Sequence, residues 1–262
     1  MIFFDPISEK GHLEFNEQML NSHNLSKIEG LNIIDSNWIS FHIHSVMNHY
    51  KLLKKSKDID VFLTFNNLSL YVLSFIFPKK KCSFIVHNNL DFAYNNFFHK
   101  FIYKRIASKY NLIYLENRLK ITGEVLVYHK SARVIRHPVI PLPKGNMICK
   151  TINMEVFVSG RNLLKDQLLK ICNINNKNVV ICNKIFDIDN LPNLKMGYLK
   201  DFNKTLSSCS KLYVVGDYKY RASGILYKAL SLENIQIVFS DKDYFIEISS
   251  HFKKSKCFYE DL

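Results

Sequence analysis

Glycine is scarce in this sequence, eight in 262 residues, while asparagine is frequent. Both read as compositional bias and not as a functional signal. The six cysteines (Cys82, Cys149, Cys172, Cys182, Cys209 and Cys257) form no C-x-x-C pair and share no metal-ligand spacing with histidine. That excludes a zinc-ribbon framework and points to reduced thiols in a cytosolic chain. The opening Met1-Ile2-Phe3-Phe4-Asp5-Pro6 reaches an acid and a proline too soon for a signal peptide. The most apolar stretch, Leu68 to Phe77, falls short of the roughly 18 residues a membrane-crossing helix needs. Membrane association is therefore expected to be peripheral at most. No repeat of solenoid length is visible.

Acids are also in the minority. Asp and Glu number 23 against 36 Lys and Arg, a net charge of +13 that favours polyanions: phosphorylated ligands, nucleic acid or an anionic membrane surface. The basic residues are dispersed, and no zinc finger, RNP aromatic motif or clear helix-turn-helix accompanies them, which weakens the case for nucleic acid. With 47% hydrophobic and 23% charged residues the chain is globular, and its length suits two domains.

Short apolar runs alternate with helical periodicity, the rhythm of an α/β protein with parallel sheets. Expected strands in the first half are Ile2–Phe4, Leu31–Ile34, Val61–Phe65, Cys82–His87 and Leu112–Leu115, with helices over His12–Ser22, Ile39–Lys55, Asn67–Phe77 and Phe92–Lys109. The run IRHPVIPLPK from Ile135 to Lys144 holds three of the six prolines and reads as a connector. It divides the chain into domain 1–136, linker 137–150 and domain 151–262. The second half repeats the rhythm with strands Met154–Val158, Val179–Ile181, Lys211–Val215 and Gln236–Phe239, and a short run near Leu194–Met196. Its helices are expected over Leu163–Cys172, Asp201–Ser207, Ser223–Leu230 and Tyr244–His251.

In open parallel sheets ligands bind beyond the carboxyl ends of the strands, so the residues just after each strand deserve the closest reading. After Lys211–Val215 comes Gly216-Asp217-Tyr218-Lys219-Tyr220-Arg221-Ala222-Ser223-Gly224, where Ser223 and Gly224 open an apolar helix. Such a helix start suits an anion, although a serine there can equally be a plain N-cap. After Met154–Val158 comes Ser159-Gly160-Arg161-Asn162-Leu163-Leu164-Lys165. On a first helical turn Arg161 and Lys165 would share one side, with Arg able to fork onto phosphate oxygens and Lys supplying a point charge. A solvated basic helix start is the alternative.

The order of these elements, the Gly160-Arg161…Lys165 opening, the crossover Arg136-His137-Pro138, the Tyr220-x-x-Ser223-Gly224 loop before Ala229-Leu230-Ser231-Leu232, and Gly11-His12 after the first strand together resemble bacterial group-1 glycosyltransferases of the GT-B fold. That resemblance implies two Rossmann-like parallel-sheet domains facing a cleft, and transfer of a hexose from a nucleotide-sugar to a glycan or a polyprenyl-diphosphate-linked acceptor in capsule or O-antigen synthesis. It implies that Arg161, Lys165, Ser223 and Gly224 hold the donor diphosphate and that Gly160 and Tyr220 line the donor. No metal and no cofactor beyond the donor substrate is implied, in keeping with the absence of a D-x-D motif. Where many of these enzymes carry two glutamates eight positions apart, this chain has Tyr220 and Lys228.

On the acceptor side, His87 ends an expected strand and could take a proton from an acceptor hydroxyl, with His12 and Glu14 as rival bases. His42, His44 and His49 are spaced along a helix in a way that does not gather three ligands on one metal. Lys54, Lys55, Lys57 and the Lys79-Lys80-Lys81 run are solvated surface or, alternatively, an anionic-lipid contact for a cytoplasmic, peripherally bound enzyme. The alternatives to transfer are a non-catalytic partner subunit of the same fold and a basic nucleic-acid-binding protein.

Overall fold

A computed structural model of the chain describes residues 2–3, 13–23, 26–27, 38–55, 62–63, 67–77, 82–87, 89–142, 155–188, 191–197, 202–252 and 256–262. The chain forms two compact units, one of Met1–Pro138 with Lys219–Ala222, the other of Val139–Tyr218 with Ser223–Leu262. Among the described residues every strand pairing is parallel, as the alternating rhythm predicts. Among the described residues no helix is long and apolar enough to cross a membrane. The expected strand Leu31–Ile34 and the residues Asp5–His12 lie outside the described residues.

In the first unit β1 (Ile2–Phe3) pairs with β2 (Ser26–Lys27), and β3 (Phe62–Leu63), β4 (Ser83–Val86), β5 (Asn111–Tyr114) and β6 (Ser131–Val134) lie side by side in that order. Phe84, Ile85 and Val86 of β4 and Leu112, Ile113 and Tyr114 of β5 are fully buried, as strands covered on both faces must be. The helices are α1 (Leu13–His23), α2 (Trp38–Lys55), α3 (Asn67–Ile76), α4 (Asn89–Asn95), α5 (Phe97–Ala107) and α6 (Asn117–Leu126). The single helix expected over Phe92–Lys109 is two. Asn96 breaks it by adopting extended backbone (φ −143°, ψ 123°), and its side-chain oxygen accepts from the N–H groups of Phe98 and His99. The sequence reading missed β2, α6 and β6: β2 is two residues long, α6 buries only Leu119 and Gly123, and β6 is an edge strand whose residues are exposed or half-buried in alternation.

Gly123 has a packing reason. A Cβ there would strike the hydroxyl oxygen of Tyr114 first and sit 2.8 Å from its Cζ; the ring is fully buried and the hydroxyl is tied to Tyr103 and, at 2.6 Å, to His129 Nε2. Burial pushes the hydroxyl pKa of Tyr103 and Tyr114 up and that of His129 down, so all three stay neutral. Gly123→Ala is therefore expected to destabilise the first unit by about 2 kcal/mol in urea unfolding, the range for overpacking a rigid core. Tyr114→Phe in the same chain should cost less than additively, because it removes the atom the new methyl strikes.

The second unit contains β7 (Glu155–Arg161), α7 (Lys165–Ile174), β8 (Val180–Cys182), β9 (Leu194–Met196) and α8 (Phe202–Ser208). It continues with β10 (Cys209–Gly216), α9 (Gly224–Ala229), β11 (Gln236–Phe239), α10 (Lys242–Phe252) and β12 (Cys257–Tyr259). The six strands lie in the order β12-β11-β10-β7-β8-β9. Counted within the unit this is the doubly wound 3-2-1-4-5-6 order of a Rossmann sheet. Val156, Val158, Val180, Tyr213, Val215 and Val238 fill one core with Leu168 and Ile171 of α7. The short β12 at the sheet edge was not anticipated, since Cys257–Tyr259 is half-buried or exposed.

Candidate functional site at the β7–β10 strand ends

In the second unit the chain leaves β7 toward β8 and β9 on one side, and leaves β10 toward β11 and β12 on the other. The two strands are neighbours, so their carboxyl ends flank the topological switch point, where doubly wound sheets place their ligands. The register there pairs Gly160 with Val215 and Arg161 with Gly216.

Both glycines answer to geometry. A Cβ on Gly160 would lie 2.5 Å from the Val215 carbonyl oxygen and 2.9 Å from Leu163 Cβ. Gly216 has φ 97°, a left-handed conformation that ordinary side chains resist, and its N–H donates to Ser240 Oγ at 3.2 Å. Asn162 also turns left-handed, φ 56°, which lets the chain fold away from β7 directly after Arg161.

That turn corrects one expectation. Arg161 is the last residue of β7, Leu164 is the N-cap, and α7 begins at Lys165, so Arg161 and Lys165 do not share a helical turn. They flank the three-residue turn 162–164 instead. The Lys165 ammonium donates to the Asp187 carbonyl at 2.5 Å, and the Lys184 ammonium donates to the Leu163 carbonyl at 3.1 Å while lying 4.8 Å from the Phe186 ring centroid. Lys184 was missed by the sequence reading, yet the rule that singled out the other strand ends reaches it, two residues beyond β8. Arg161 and Lys184 thus stand at the ends of two adjacent strands and Lys165 at the start of the helix between them, with Asp166 and Asp187 as the nearest acids in sequence.

Ser223 is the N-cap of α9, its Oγ accepting from the Leu226 N–H at 3.5 Å, and its own N–H donates to the Tyr244 hydroxyl at 2.9 Å. The hydroxyl and the N–H of this buried serine therefore have partners within the protein. Gly224 is exposed and faces open space where a Cβ would be. Tyr220 lies in the stretch Lys219–Ala222 that belongs to the first unit, where its ring stacks on Tyr94 with centroids 4.0 Å apart. Lys228, at the second of the two glutamate positions, donates to Asn203 Oδ1 at 3.0 Å.

In the first unit the strand ends carry a second polar group of residues. His87 follows β4, Glu116 follows β5 and His137 follows β6. Phe15 of α1 presents its ring to both histidines, 5.7 Å from His87 and 4.9 Å from His137. Glu14, the preceding residue of α1, is half-buried, and His12 lies outside the described residues. His137 is buried, its Nδ1 bonded to the Pro138 carbonyl at 2.8 Å, and burial holds its pKa down to about 3. Glu116 is buried and pairs with Arg118 at 2.6 Å, and Arg118 also donates to the Arg221 carbonyl. Glu116 was legible as the residue just after an expected strand but was not singled out.

No family model matches the chain, and no curated protein does. Among solved structures it is similar to the glycotransferase of kitacinnamycin, at 11% identity and a TM-score of 0.43, covering 99% of this chain and 85% of that one. It is similar to the spinosyn forosaminyltransferase SpnP at 11% identity and a TM-score of 0.42, with the same coverage. The strand order of the second unit stands on its own ladder of parallel pairings.

Proposed function

We propose that the protein is a metal-independent glycosyltransferase of the GT-B type that binds the diphosphate of a nucleotide-sugar at the β7–β10 switch point. The observation that carries the reading is the pairing of Gly160-Arg161 with Val215-Gly216 in a 3-2-1-4-5-6 sheet. A glycine that admits no side chain lets β7 and the turn after it close tightly on β10, and cations on the same strand ends answer the charge that grows on a nucleoside diphosphate as the glycosidic bond breaks. In this reading Arg161 and Lys165 neutralise the diphosphate. Because Ser223 is engaged as a cap, Gly224 rather than the Ser223 hydroxyl is the contact offered by α9. Gly160 and Tyr220 keep the donor-lining roles that the sequence resemblance implies. His87 serves the acceptor hydroxyl, with Glu14 and His12 as the other candidates. The acceptor is a glycan or a polyprenyl-diphosphate-linked sugar of a bacterial surface polymer, and the work is done at the cytoplasmic face of the membrane.

A thermal-shift series with UDP, GDP, CMP and their sugars tests the site. One nucleotide diphosphate is expected to raise the Tm of the intact chain, and Arg161→Ala to weaken its binding by about a hundredfold, the usual scale for losing a charge-assisted phosphate contact. An unchanged shift in Arg161→Ala removes the proposed site.

One observation favours a second reading, a nucleotide-binding partner subunit without turnover. Tyr220 is stacked on Tyr94 and Lys228 is bonded to Asn203, so the two positions that carry glutamates in many group-1 enzymes are engaged inside the protein. Donor hydrolysis by the purified chain decides between the two: a nucleotide shift without any hydrolysis or transfer supports the partner.

A further inference from the structure

We propose that helices α2, α3 and α5 of the first unit form a docking face for an anionic lipid surface. None of these three helices contains an Asp or a Glu. They carry Lys51, Lys54 and Lys55 on α2 and Lys100, Lys104 and Arg105 on α5. A solvent-facing helix ordinarily mixes both signs of charge, so a helical layer with cations alone is complementary to a negative surface.

The uncharged residues of the same helices divide into a buried and an exposed set. Ser45, His49 and Leu53 of α2, Leu70 and Leu73 of α3, and Ile102 and Ile106 of α5 are buried. Outward, α2 exposes Ile39, Ile43, Met47 and Tyr50 at successive helical turns, with Ile39 63% exposed. Helix α3 exposes Phe75 and Ile76, and α5 exposes Phe97, Phe98 and Phe101, with Phe97 86% exposed.

Ring contacts join these residues into one surface. Tyr50 of α2 meets Phe77 just past α3 at 5.6 Å, and Tyr71 of α3 meets both Phe75 at 5.2 Å and Phe101 of α5 at 5.9 Å. The cations belong to the same surface: Arg105 lies 4.3 Å over the Phe75 ring and donates to Ser74, and Lys54 lies 5.8 Å from the Tyr50 ring. A contiguous exposed apolar patch is uncommon on a protein surrounded only by water. Aromatic and aliphatic side chains interleaved with long cationic ones suit the headgroup boundary of a bilayer, where the rings enter and the charged ends reach phosphates. RNA shares the negative charge but offers no apolar phase for Ile39, Ile43, Met47 and Phe97.

The test is co-sedimentation of the intact chain with large vesicles of phosphatidylcholine alone, or with about 30% phosphatidylglycerol. Binding is expected only to the anionic vesicles and should weaken with salt. The triple change Phe97→Ser, Phe98→Ser, Phe101→Ser should reduce it at least tenfold, and Lys51→Gln, Lys54→Gln and Lys100→Gln on the order of fivefold per charge. All of these side chains are exposed, so unchanged thermal melting of the variants establishes that they fold. Failure to pellet with anionic vesicles overturns the proposal, as does binding that the phenylalanine changes leave intact. Binding of poly(U) that the lysine changes weaken, without vesicle binding, replaces it with a nucleic-acid surface. Nucleotide stabilisation is read from the second unit, so a chain that responds to a nucleoside diphosphate and ignores vesicles loses this proposal alone.

Discussion

Gly160→Ala is expected to destabilise the second unit by about 3 kcal/mol and to abolish any nucleotide-dependent rise in Tm. The atom that a methyl group at Gly160 meets first is the Val215 backbone carbonyl oxygen, at 2.5 Å, and the second is Leu163 Cβ, at 2.9 Å. Neither is the flexible end of a side chain. Relief must come from parting β7 and β10, the two central strands of a six-stranded sheet, or from pushing out the turn that carries Asn162 to Leu164. Either movement displaces Arg161, which ends β7, and Lys165, which opens α7. Gly224→Ala is the matched control for stability in the absence of nucleotide. A Cβ there meets nothing within 4 Å, and the residue occupies the first position of a helix, so stability should stay within about 0.5 kcal/mol of the parent. Urea unfolding of the two variants, with and without the best nucleotide, measures both effects. A Gly160→Ala protein as stable as the Gly224→Ala protein would show that the strand ends have slack the close approach denies.

The parts of this fold that were legible in the sequence are those where one signal dominated. Buried strands such as Cys82–His87 and Gln236–Phe239 are continuous apolar runs, and helices such as Ile39–Lys55 carry a full helical period. Of the elements that escaped notice, β2 is only two residues long, and α6, β6 and β12 are edge or surface elements with little buried apolar surface to mark them. The break at Asn96 was hidden because helical periodicity runs through it and only the capping chemistry of asparagine interrupts it. At the candidate site, Gly160 and Arg161 were found because they follow a strand. That Arg161 belongs to the strand itself depends on the left-handed turn at Asn162, and no periodicity announces one non-glycine residue at φ 56°. Lys184 and Glu116 obeyed the rule that found the others and were passed over because they stand outside any recognisable motif.

Acidification below about pH 6.5 should strip stability from the first unit through His137. The residue is buried, its Nδ1 is bonded to the Pro138 carbonyl, its backbone N–H donates to the Leu115 carbonyl, and its ring meets the edge of Phe15. Burial is the main cause that holds its pKa down to about 3; the bond to Pro138 opposes the shift, and the nearby His87 adds to it. A histidine with a folded pKa below its unfolded value near 6.5 binds fewer protons in the folded state across the interval between them. Its stabilising contribution is therefore complete above the unfolded pKa, declines as pH falls through that interval, and is lost near pH 3. The amount at stake is on the order of 5 kcal/mol, a large fraction of a typical domain's stability. His129 is shifted in the same direction by its own burial and adds to the slope. Unfolding free energies of the intact chain and of His137→Asn, measured by urea at intervals from pH 7 to pH 4, separate the two contributions. The parent should lose stability steadily over that range, and the difference between the two proteins should shrink as pH falls, because asparagine has no proton to take up. A difference that stays constant with pH would mean that His137 is protonated as readily in the folded chain as in the unfolded one, and its packing against Phe15 would then be a matter of shape alone.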